Sequence, residues 1–296
     1  MLARAGDTIA DTELAPREAR LGLLSELRGV LSGGSGAAEA VAALAAPPSL
    51  TAGATERAEA ALLCRIEPLL ERFRGLSPPE RAEVATVVDR LLATMQGELA
   101  FFPAGQLVAL SDAAALTAYT EGIAGCVGVF WTRLLVRHRW VVSPAAQVAL
   151  EVAGRRYGRA LQLVNILRDL PRDLRRGVCF LPADELAAVG LEPADLLDPG
   201  AGELLAPLLA RWESRAWCGL LGGLVYTTRL PRWAISLRLA TALPAALGLA
   251  TLRELRASER RLDPTHKISV SRGALRRIVA RTALACCTPR GLLRLV

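Results

Sequence analysis

The chain has 296 residues, of which 52% are hydrophobic and only 4% aromatic, so one large domain can bury a sizeable core. Its net charge of +7 suits an anionic partner. Nucleic acid is not expected, because the chain has no zinc-finger spacing, RNA-binding aromatic motif or compact Lys/Arg block. Six cysteines are scattered without CxxC spacing and follow no signal peptide, which indicates reduced thiols in a cytoplasmic protein.

Ala and Leu dominate the apolar residues, and no long stretch alternates apolar and polar positions, so the sequence predicts an all-α fold. Expected helices, in chain order, cover about 2–31, 54–73, 81–101, 111–138, 143–169, 182–189, 202–228, 231–257 and 271–285. Loops are expected at the glycines of 33–36 and at 46–49, and a short extended segment at 177–182. Pro171 predicts a kink or a helix end. The apolar run Leu239–Leu252 is shorter than the roughly 20 residues of a membrane span, which indicates a buried helix.

Two pairs of aspartates stand out against this apolar background. Asp7 and Asp11 lie four residues apart near the start of the chain, and Asp169 and Asp173 lie four residues apart in mid-chain. Residues at this spacing share one helix face. On an ideal helix Gln162 and Asn165 extend the second pair into one polar stripe.

Like charges one turn apart destabilise a helix slightly, so two such pairs in an apolar, basic chain need a reason. A solvated face is one reading. The other is Mg²⁺, a hard ion that takes one or two carboxylates together with substrate phosphates. A magnesium cluster held by the two pairs would stabilise a diphosphate leaving group. Arg4 and Arg168 lie within a turn of the carboxylates and either contact phosphate oxygens or pair with the neighbouring Asp.

Four segments resemble motifs of the squalene/phytoene synthase family. Arg4–Asp11 is similar to the family's first aspartate-rich motif, and Gln162–Asp173 to its second. Tyr119-Thr-Glu-Gly-Ile-Ala-Gly125-Cys-Val-Gly128 is similar to its Tyr-x-x-x-Val-Ala-Gly-x-Val-Gly signature, and Gly177–Pro182 to the segment that follows the second motif. A weaker likeness links Lys267–Arg272 to a loop bordering the active site.

The resemblance implies a single-domain helical bundle of the isoprenoid synthase type over residues 1–296, with a central cavity for two prenyl diphosphates. The metal ligands it implies are Asp7, Asp11, Asp169 and Asp173, with Gln162 and Asn165 in support. It further implies that Tyr119 takes part in proton removal during cyclopropane formation. Gly125 and Gly128 are expected to allow close helix approach or to leave room for substrate.

We expect a squalene synthase, which joins two farnesyl diphosphates through presqualene diphosphate and uses NADPH as hydride donor. The single Asp of Gly6-Asp7 favours this branch over phytoene synthase. Lys267 and Arg272 are candidates for the NADPH phosphates. Because the product is an insoluble hydrocarbon, we also expect peripheral contact with the inner membrane face through C-terminal arginines: Arg272, Arg276, Arg277, Arg281, Arg290 and Arg294.

Alternatives remain open within and outside the enzyme class. Phytoene, dehydrosqualene and presqualene diphosphate synthases would carry the same motifs. The family's first motif usually follows about one helical hairpin, which this sequence is expected to lack. A catalytically silent relative that acts as an assembly or scaffold protein is the non-enzyme alternative, against which the two intact aspartate pairs argue.

Overall fold

The computed structural model describes residues 1–11, 15–34, 61–138, 144–288 and 291–292. They form two compact units, Met1–Phe101 and Phe102–Val296. The loop expected at 46–49 and the start of the helix expected at residue 54 lie outside the described residues.

The first unit consists of helices. They are α1 (Leu2–Asp11), α2 (Arg17–Leu31), α3 (Ile66–Arg74) and α4 (Pro78–Phe101). Helix α4 packs against α1 and α2, and fully buried Ile9, Leu24 and Leu92 lie in this core. Arg17 on α2 donates from Nε and Nη2 to the carbonyl oxygens of Leu99 and Ala100, at 2.7 and 2.6 Å.

In the second unit, the described residues form helices and two short strands. Its elements are β1 (Val108–Leu110), α5 (Ala113–Thr120), a π-helix (Glu121–Gly125), α6 (Cys126–Arg137), α7 (Pro144–Arg175), β2 (Val178–Pro182), α8 (Ala183–Ala187), 3₁₀ turns at Pro193–Leu197 and Pro199–Ala201, α9 (Gly202–Thr228), α10 (Ile235–Ala257) and α11 (Arg272–Cys287). Helix α7 packs against α5, α6, α9 and α10, and α10 packs against α9 and α11. The all-α prediction is therefore confirmed.

The 32-residue helix α7 runs through Pro171 to Arg175, so the helix end expected at Pro171 is wrong. A proline in a helix removes one backbone hydrogen bond. Burial of the same segment offsets that loss, since Leu167, Leu170 and Leu174 are at most 5% exposed. The consequence for the site is that Asp173 stays on the same helix as Asp169.

Gly177 ends α7 and starts the extended segment predicted at 177–182. Its φ of +84° lies in the left-handed region that glycine adopts without strain, and its N–H donates to the carbonyl of Leu174 at 3.0 Å. Strand β2 then pairs in parallel with β1, with Val108 opposite Val178 and Ala109 opposite Cys179. This pairing was not predicted, because strands of three and five residues are too short for an alternating pattern.

A buried carboxylate fixes the loop that follows α10. Glu213 on α9 is 3% exposed and accepts from Arg256 Nε at 3.2 Å and from Arg261 Nη1 at 2.8 Å. Buried charges persist when they are paired in this way. The loop that leads to Lys267 is thus tied to α9 at its start.

Candidate active site

The first acidic pair lies on α1, where Asp7 is half-buried and Asp11 is exposed. Arg4 Nη1 donates to Asp7 Oδ2 one turn along the helix. Burial raises the pKa of Asp7, and the negative charge of Asp11 raises it further, while Arg4 acts in the opposite direction. The two carboxylates therefore repel each other, and an added cation would relieve this repulsion.

The second acidic pair lies on α7, and an arginine binds its first member. Arg168 binds Asp169 through two hydrogen bonds, Nε to Oδ1 at 2.9 Å and Nη2 to Oδ2 at 2.6 Å. This bonding raises the pKa of Arg168, and the charge of Asp173 adds to the rise. Arg172 Nε lies 3.7 Å from Asp173 Oδ1.

The predicted polar stripe is present on α7. Asn165 Nδ2 donates to Gln162 Oε1 at 3.4 Å, and Asn165 is exposed while Gln162, Asp169 and Asp173 are partly buried. The adjoining side chains Leu163, Val164, Ile166, Leu167 and Leu170 are buried. A narrow, partly accessible polar stripe between buried apolar side chains differs from a fully solvated face. Both arginines proposed for phosphate contact, Arg4 and Arg168, pair with their neighbouring aspartates.

Tyr119 lies on α5 and stacks on Phe180 of β2, with ring centroids 4.5 Å apart and an interplanar angle of 24°. Phe102 meets the same Phe180 ring edge-on at 5.5 Å. The Asp112 side chain caps α5 by accepting from the N–H of Ala115 at 2.8 Å. Strand β2 follows α7 after the turn at Gly177. The stacking of Tyr119 on Phe180 therefore brings the signature tyrosine into contact with the segment that follows the second aspartate motif.

The π-helix Glu121–Gly125 interrupts the helix expected over 111–138, directly after Tyr119. Single π turns inside α-helices occur often at functional sites. Glu121 Oε1 lies 3.3 Å from Arg155 Nε on α7, and a Cβ on Gly125 would come within 2.5 Å of Glu121 Oε2. No periodic pattern in the sequence indicates this element.

The backbones of α6 and α7 are in contact at Gly128. Close helix approach was one of the two roles predicted for this glycine. A Cβ at this position would collide with the carbonyl oxygen of Gly154. Thr132, one turn on, donates to the Gly128 carbonyl and lies 2.9 Å from the Tyr226 hydroxyl. Gly128 thus allows α6 to pack closely on α7, the helix that carries the second acidic pair.

Lys267 is exposed on the loop between α10 and α11. Within the described chain it makes no hydrogen bond or ion pair with the polar residues of α7, so the structure does not join it to that stripe. Arg272, Arg276, Arg277 and Arg281 are exposed on α11, and Arg290 and Arg294 lie outside the described residues.

A surface cavity of about 480 Å³ lies at the end of α7, just after the second acidic pair. Arg175, Arg176 and Gln106 line it together with the Gly177 turn. The sequence analysis did not single out these arginines, which follow Asp173 by only two and three residues.

The carboxylate oxygens of each acidic pair are ligands of the kind that Mg²⁺ prefers. No group of three or more His, Cys, Asp or Glu side chains that could hold a metal ion occurs among the described residues. Mg²⁺ needs only one or two carboxylates when phosphates and water complete its shell. Burial and the negative charge of Asp11 raise the pKa of Asp7, and a divalent cation would relieve the second of these two effects.

Two helical stretches, Ala113–Arg137 and Ile235–Ala257, are long and apolar enough to cross a membrane by length and composition alone. Core helices of soluble proteins meet the same criterion. The second stretch contributes Ala242, Ala245, Leu249 and Leu252 to the main core.

A helical fold with paired aspartates on helices and a signature tyrosine is that of the isoprenoid synthases. The sequence model of the squalene/phytoene synthase family matches residues 1–274, and the chain belongs to this family. Enzymes of this family are prenyltransferases of the head-to-head type. Members of the family use Mg²⁺ to bind prenyl diphosphates.

Phytoene synthases are among the relatives with similar sequences. The chain is 35% identical to phytoene synthase of Thermus thermophilus over 121 residues, which is 39% of this chain and 38% of that protein. It is 41% identical to chloroplastic phytoene synthase 3 of Zea mays over 83 residues, 27% of this chain and 18% of that protein. The chain thus matches well under half the length of these relatives.

Solved structures share the fold at lower identity. TcSQS, a squalene synthase in complex with the ligand BPH1237, superposes with a TM-score of 0.74 at 20% identity, covering 99% of this chain and 80% of that one. A dehydrosqualene synthase in complex with ligand gives a TM-score of 0.57 at 18% identity, covering 95% and 94%.

Proposed function

We propose that this protein condenses two prenyl diphosphates head to head, with both acidic pairs binding the Mg²⁺ that accompanies the diphosphates. The observation that carries the proposal is the stripe on α7, where Asp169 and Asp173 share an uninterrupted helix with Arg168 bonded to the first and close to the second. Buried leucines on either side keep this stripe narrow.

Asp7, Asp11, Asp169 and Asp173 would hold the metal, with Gln162 and Asn165 in support. When bound, Mg²⁺ neutralises diphosphate oxygens and stabilises diphosphate as a leaving group. Arg168 then has two successive partners: Asp169 in the free protein and diphosphate oxygens in the loaded one, since its planar fork fits both. The same exchange is proposed for Arg4 and Asp7.

Tyr119 is proposed to relay or orient the proton lost when the cyclopropane ring closes. A phenol with a pKa near 10 is a weak base, so the released diphosphate or a carboxylate must finally accept that proton. The stack on Phe180 fixes the ring of Tyr119 and limits the positions that its hydroxyl reaches.

The specific product we propose is squalene from two farnesyl diphosphates, with NADPH supplying the hydride and Lys267 a candidate contact for its phosphates. The single-Asp form of Gly6-Asp7 supports this choice. Phytoene or dehydrosqualene is the second candidate, favoured by the names of the relatives in Thermus thermophilus and Zea mays. An enzyme that stops at presqualene diphosphate carries the same groups.

Incubation with farnesyl or geranylgeranyl diphosphate, with and without NADPH, separates these products after extraction. Squalene with NADPH, and dehydrosqualene or presqualene diphosphate without it, is expected. A C40 hydrocarbon formed only from geranylgeranyl diphosphate and unaffected by NADPH would assign phytoene synthase instead.

We further propose that the protein works in the cytoplasm at the inner membrane face. Its hydrocarbon product is insoluble in water, and the four exposed arginines of α11 support attraction to anionic lipid.

A further inference from the structure

The surface cavity at the end of α7 combines two kinds of side chain. Arg175 and Arg176 contribute guanidinium groups, and Leu107, Leu174 and Leu197 contribute aliphatic groups. Its volume of about 480 Å³ lies within the range of about 300–1,000 Å³ that small-molecule sites occupy. A phosphate ion alone would leave most of this volume empty, so the cavity has room for an anion that carries an apolar group.

The cavity faces away from the polar stripe of the same helix. Successive residues of an α-helix are turned by about 100° around its axis, so Leu174 and Arg175 lie about 100° and 200° from Asp173. Arg176 belongs to the turn that follows α7. A ligand in the cavity would therefore approach α7 from a different side than the one that carries Asp169 and Asp173, the proposed metal ligands.

The positive charge at the cavity is not neutralised by its lining. No Asp or Glu occurs among the described residues that line it. Two acids close in sequence have partners of their own: Asp198 accepts from the N–H of Gly200 at 2.9 Å, and Asp173 Oδ1 lies 3.7 Å from Arg172 Nε. Within the described residues, the side chain of Arg175 makes no hydrogen bond or ion pair. An anion bound by Arg175 would gain charge-assisted hydrogen bonds without displacing a carboxylate.

The backbone around the cavity is held by direct contacts between the two segments that form it. The N–H of Val108 donates to the carbonyl of Gly177 at 3.1 Å. A Cβ on Gly177 would lie 2.5 Å from the carbonyl oxygen of Gln106, so the turn after α7 packs closely on the segment before β1. A cavity that is already formed loses less conformational freedom when a ligand binds.

We propose that this cavity is a non-catalytic binding site for a prenyl diphosphate, with the diphosphate on Arg175 and Arg176 and the prenyl chain on the leucines. Guanidinium groups present paired donors that match diphosphate oxygens. The described lining has aliphatic side chains and no aromatic ring on which a nucleotide base would stack. The choice of a prenyl chain rests on the proposed function, whereas the anionic and aliphatic parts of the ligand follow from the cavity itself.

Binding in the cavity is expected to be independent of Mg²⁺. Its lining offers cations to the diphosphate, whereas the two acidic pairs need a metal ion between their carboxylates and the diphosphate oxygens. A chelator therefore suppresses binding at the acidic pairs and leaves the cavity available, which separates the two sites experimentally.

The test is isothermal titration calorimetry of the full chain in excess chelator with farnesyl diphosphate, inorganic diphosphate and ADP. Farnesyl diphosphate should bind about tenfold more tightly than either of the other two, because only its chain covers the leucines. Arg175→Gln should weaken the binding of farnesyl diphosphate and of inorganic diphosphate by about tenfold, the effect of one charged hydrogen-bonding group. Leu197→Ser should weaken farnesyl diphosphate about fivefold and leave inorganic diphosphate unchanged.

Arg232→Gln is the matched control, because it removes an exposed arginine from the turn between α9 and α10. Its affinity for farnesyl diphosphate should equal that of wild type. Asp169→Asn should also bind as wild type does in chelator, since Asp169 does not line the cavity. Thermal unfolding checks that each variant is folded.

Wild-type protein that binds none of the three ligands in chelator, or equal affinities in wild type and Arg175→Gln, would overturn the proposal. So would tighter binding of ADP than of farnesyl diphosphate, which would assign the cavity to a nucleotide. Equal affinities for farnesyl diphosphate and inorganic diphosphate would overturn it as well, because the leucines would then have no role. The assay measures no turnover, so its failure leaves the proposed reaction untouched, and a chain that does not condense prenyl diphosphates can still bind one here.

Discussion

At the scale of single residues, Asp169 accepts two hydrogen bonds from Arg168 and is partly buried. The proposed metal site requires the negative charge of its side chain. Asp169→Asn keeps the size of the side chain and removes the charge. We expect turnover of prenyl diphosphate to fall by about 100-fold or more, the scale on which one electrostatic group at a reacting centre acts. Steady-state kinetics measure the loss, and circular dichroism checks the fold.

Glu254→Gln is the control for this change, because it removes an exposed negative charge from α10. Its turnover should match that of wild type. Near-normal turnover in a variant lacking both Asp7 and Asp169 charges would contradict the metal assignment.

Tyr119→Phe isolates the hydroxyl, because the substituted ring retains the stack on Phe180. Formation of the cyclopropyl diphosphate should fall by about 100-fold, within the range of acid–base groups, while substrate binding changes little. Single-turnover product analysis beside an equilibrium binding measurement separates the two effects. If the variant condenses substrate at the wild-type rate, Tyr119 is a packing residue only.

At the scale of elements, the contact of α6 with α7 depends on the missing side chain of Gly128. In Gly128→Ala the new methyl group meets the Gly154 carbonyl, and the helices must separate. Overpacking of this kind costs about 1–3 kcal/mol, so the melting temperature should fall. Thermal unfolding followed by circular dichroism measures it.

Gly222→Ala provides the comparison on α9. Its Cβ would meet no atom within 4 Å, so the substitution should stabilise the helix by about 0.5–1 kcal/mol. Equal melting temperatures for the two alanine variants would show that the α6–α7 contact is unimportant.

The positions of helices were predicted well where capping residues and apolar periodicity indicated the same helix ends. The predicted 202–228 helix is α9, and the stripe from Gln162 to Asp169 lies on α7 as its spacing required. The π-helix and the β1–β2 pairing were missed, because both depend on tertiary packing rather than local pattern. Of the two outcomes expected at Pro171, the helix end does not occur, since burial of its leucine neighbours outweighs one lost hydrogen bond.

For the candidate site, only relations within one helix could be predicted. Carboxylates four residues apart on a helix share a face, so the placement of Asp7 beside Asp11 and of Asp169 beside Asp173 followed from spacing alone. The pairing of Arg4 and Arg168 with their own aspartates, and the stack of Tyr119 on Phe180, needed the structure. Neither spacing nor composition relates a side chain on α5 to one on β2, more than fifty residues later.

At the scale of the whole molecule, the basic charge and the helical fold agree with an enzyme that handles anionic, apolar substrates. Membership of the squalene/phytoene synthase family rests on residues 1–274, so most of α11 lies beyond the matched segment. Three of the exposed arginines of that helix, Arg276, Arg277 and Arg281, therefore lie outside the matched segment.

The central claim is head-to-head condensation that depends on Mg²⁺, and its stoichiometry tests it most directly. Joining two farnesyl diphosphates into one C30 hydrocarbon releases two diphosphates, one at ring closure and one at rearrangement. Inorganic diphosphate and extracted hydrocarbon should therefore be measured in the same reaction, with Mg²⁺ and with excess chelator. The account predicts two diphosphates per hydrocarbon with Mg²⁺ and neither product with chelator. Release of one diphosphate per farnesol, with no coupled hydrocarbon from farnesyl or geranylgeranyl diphosphate, would contradict it.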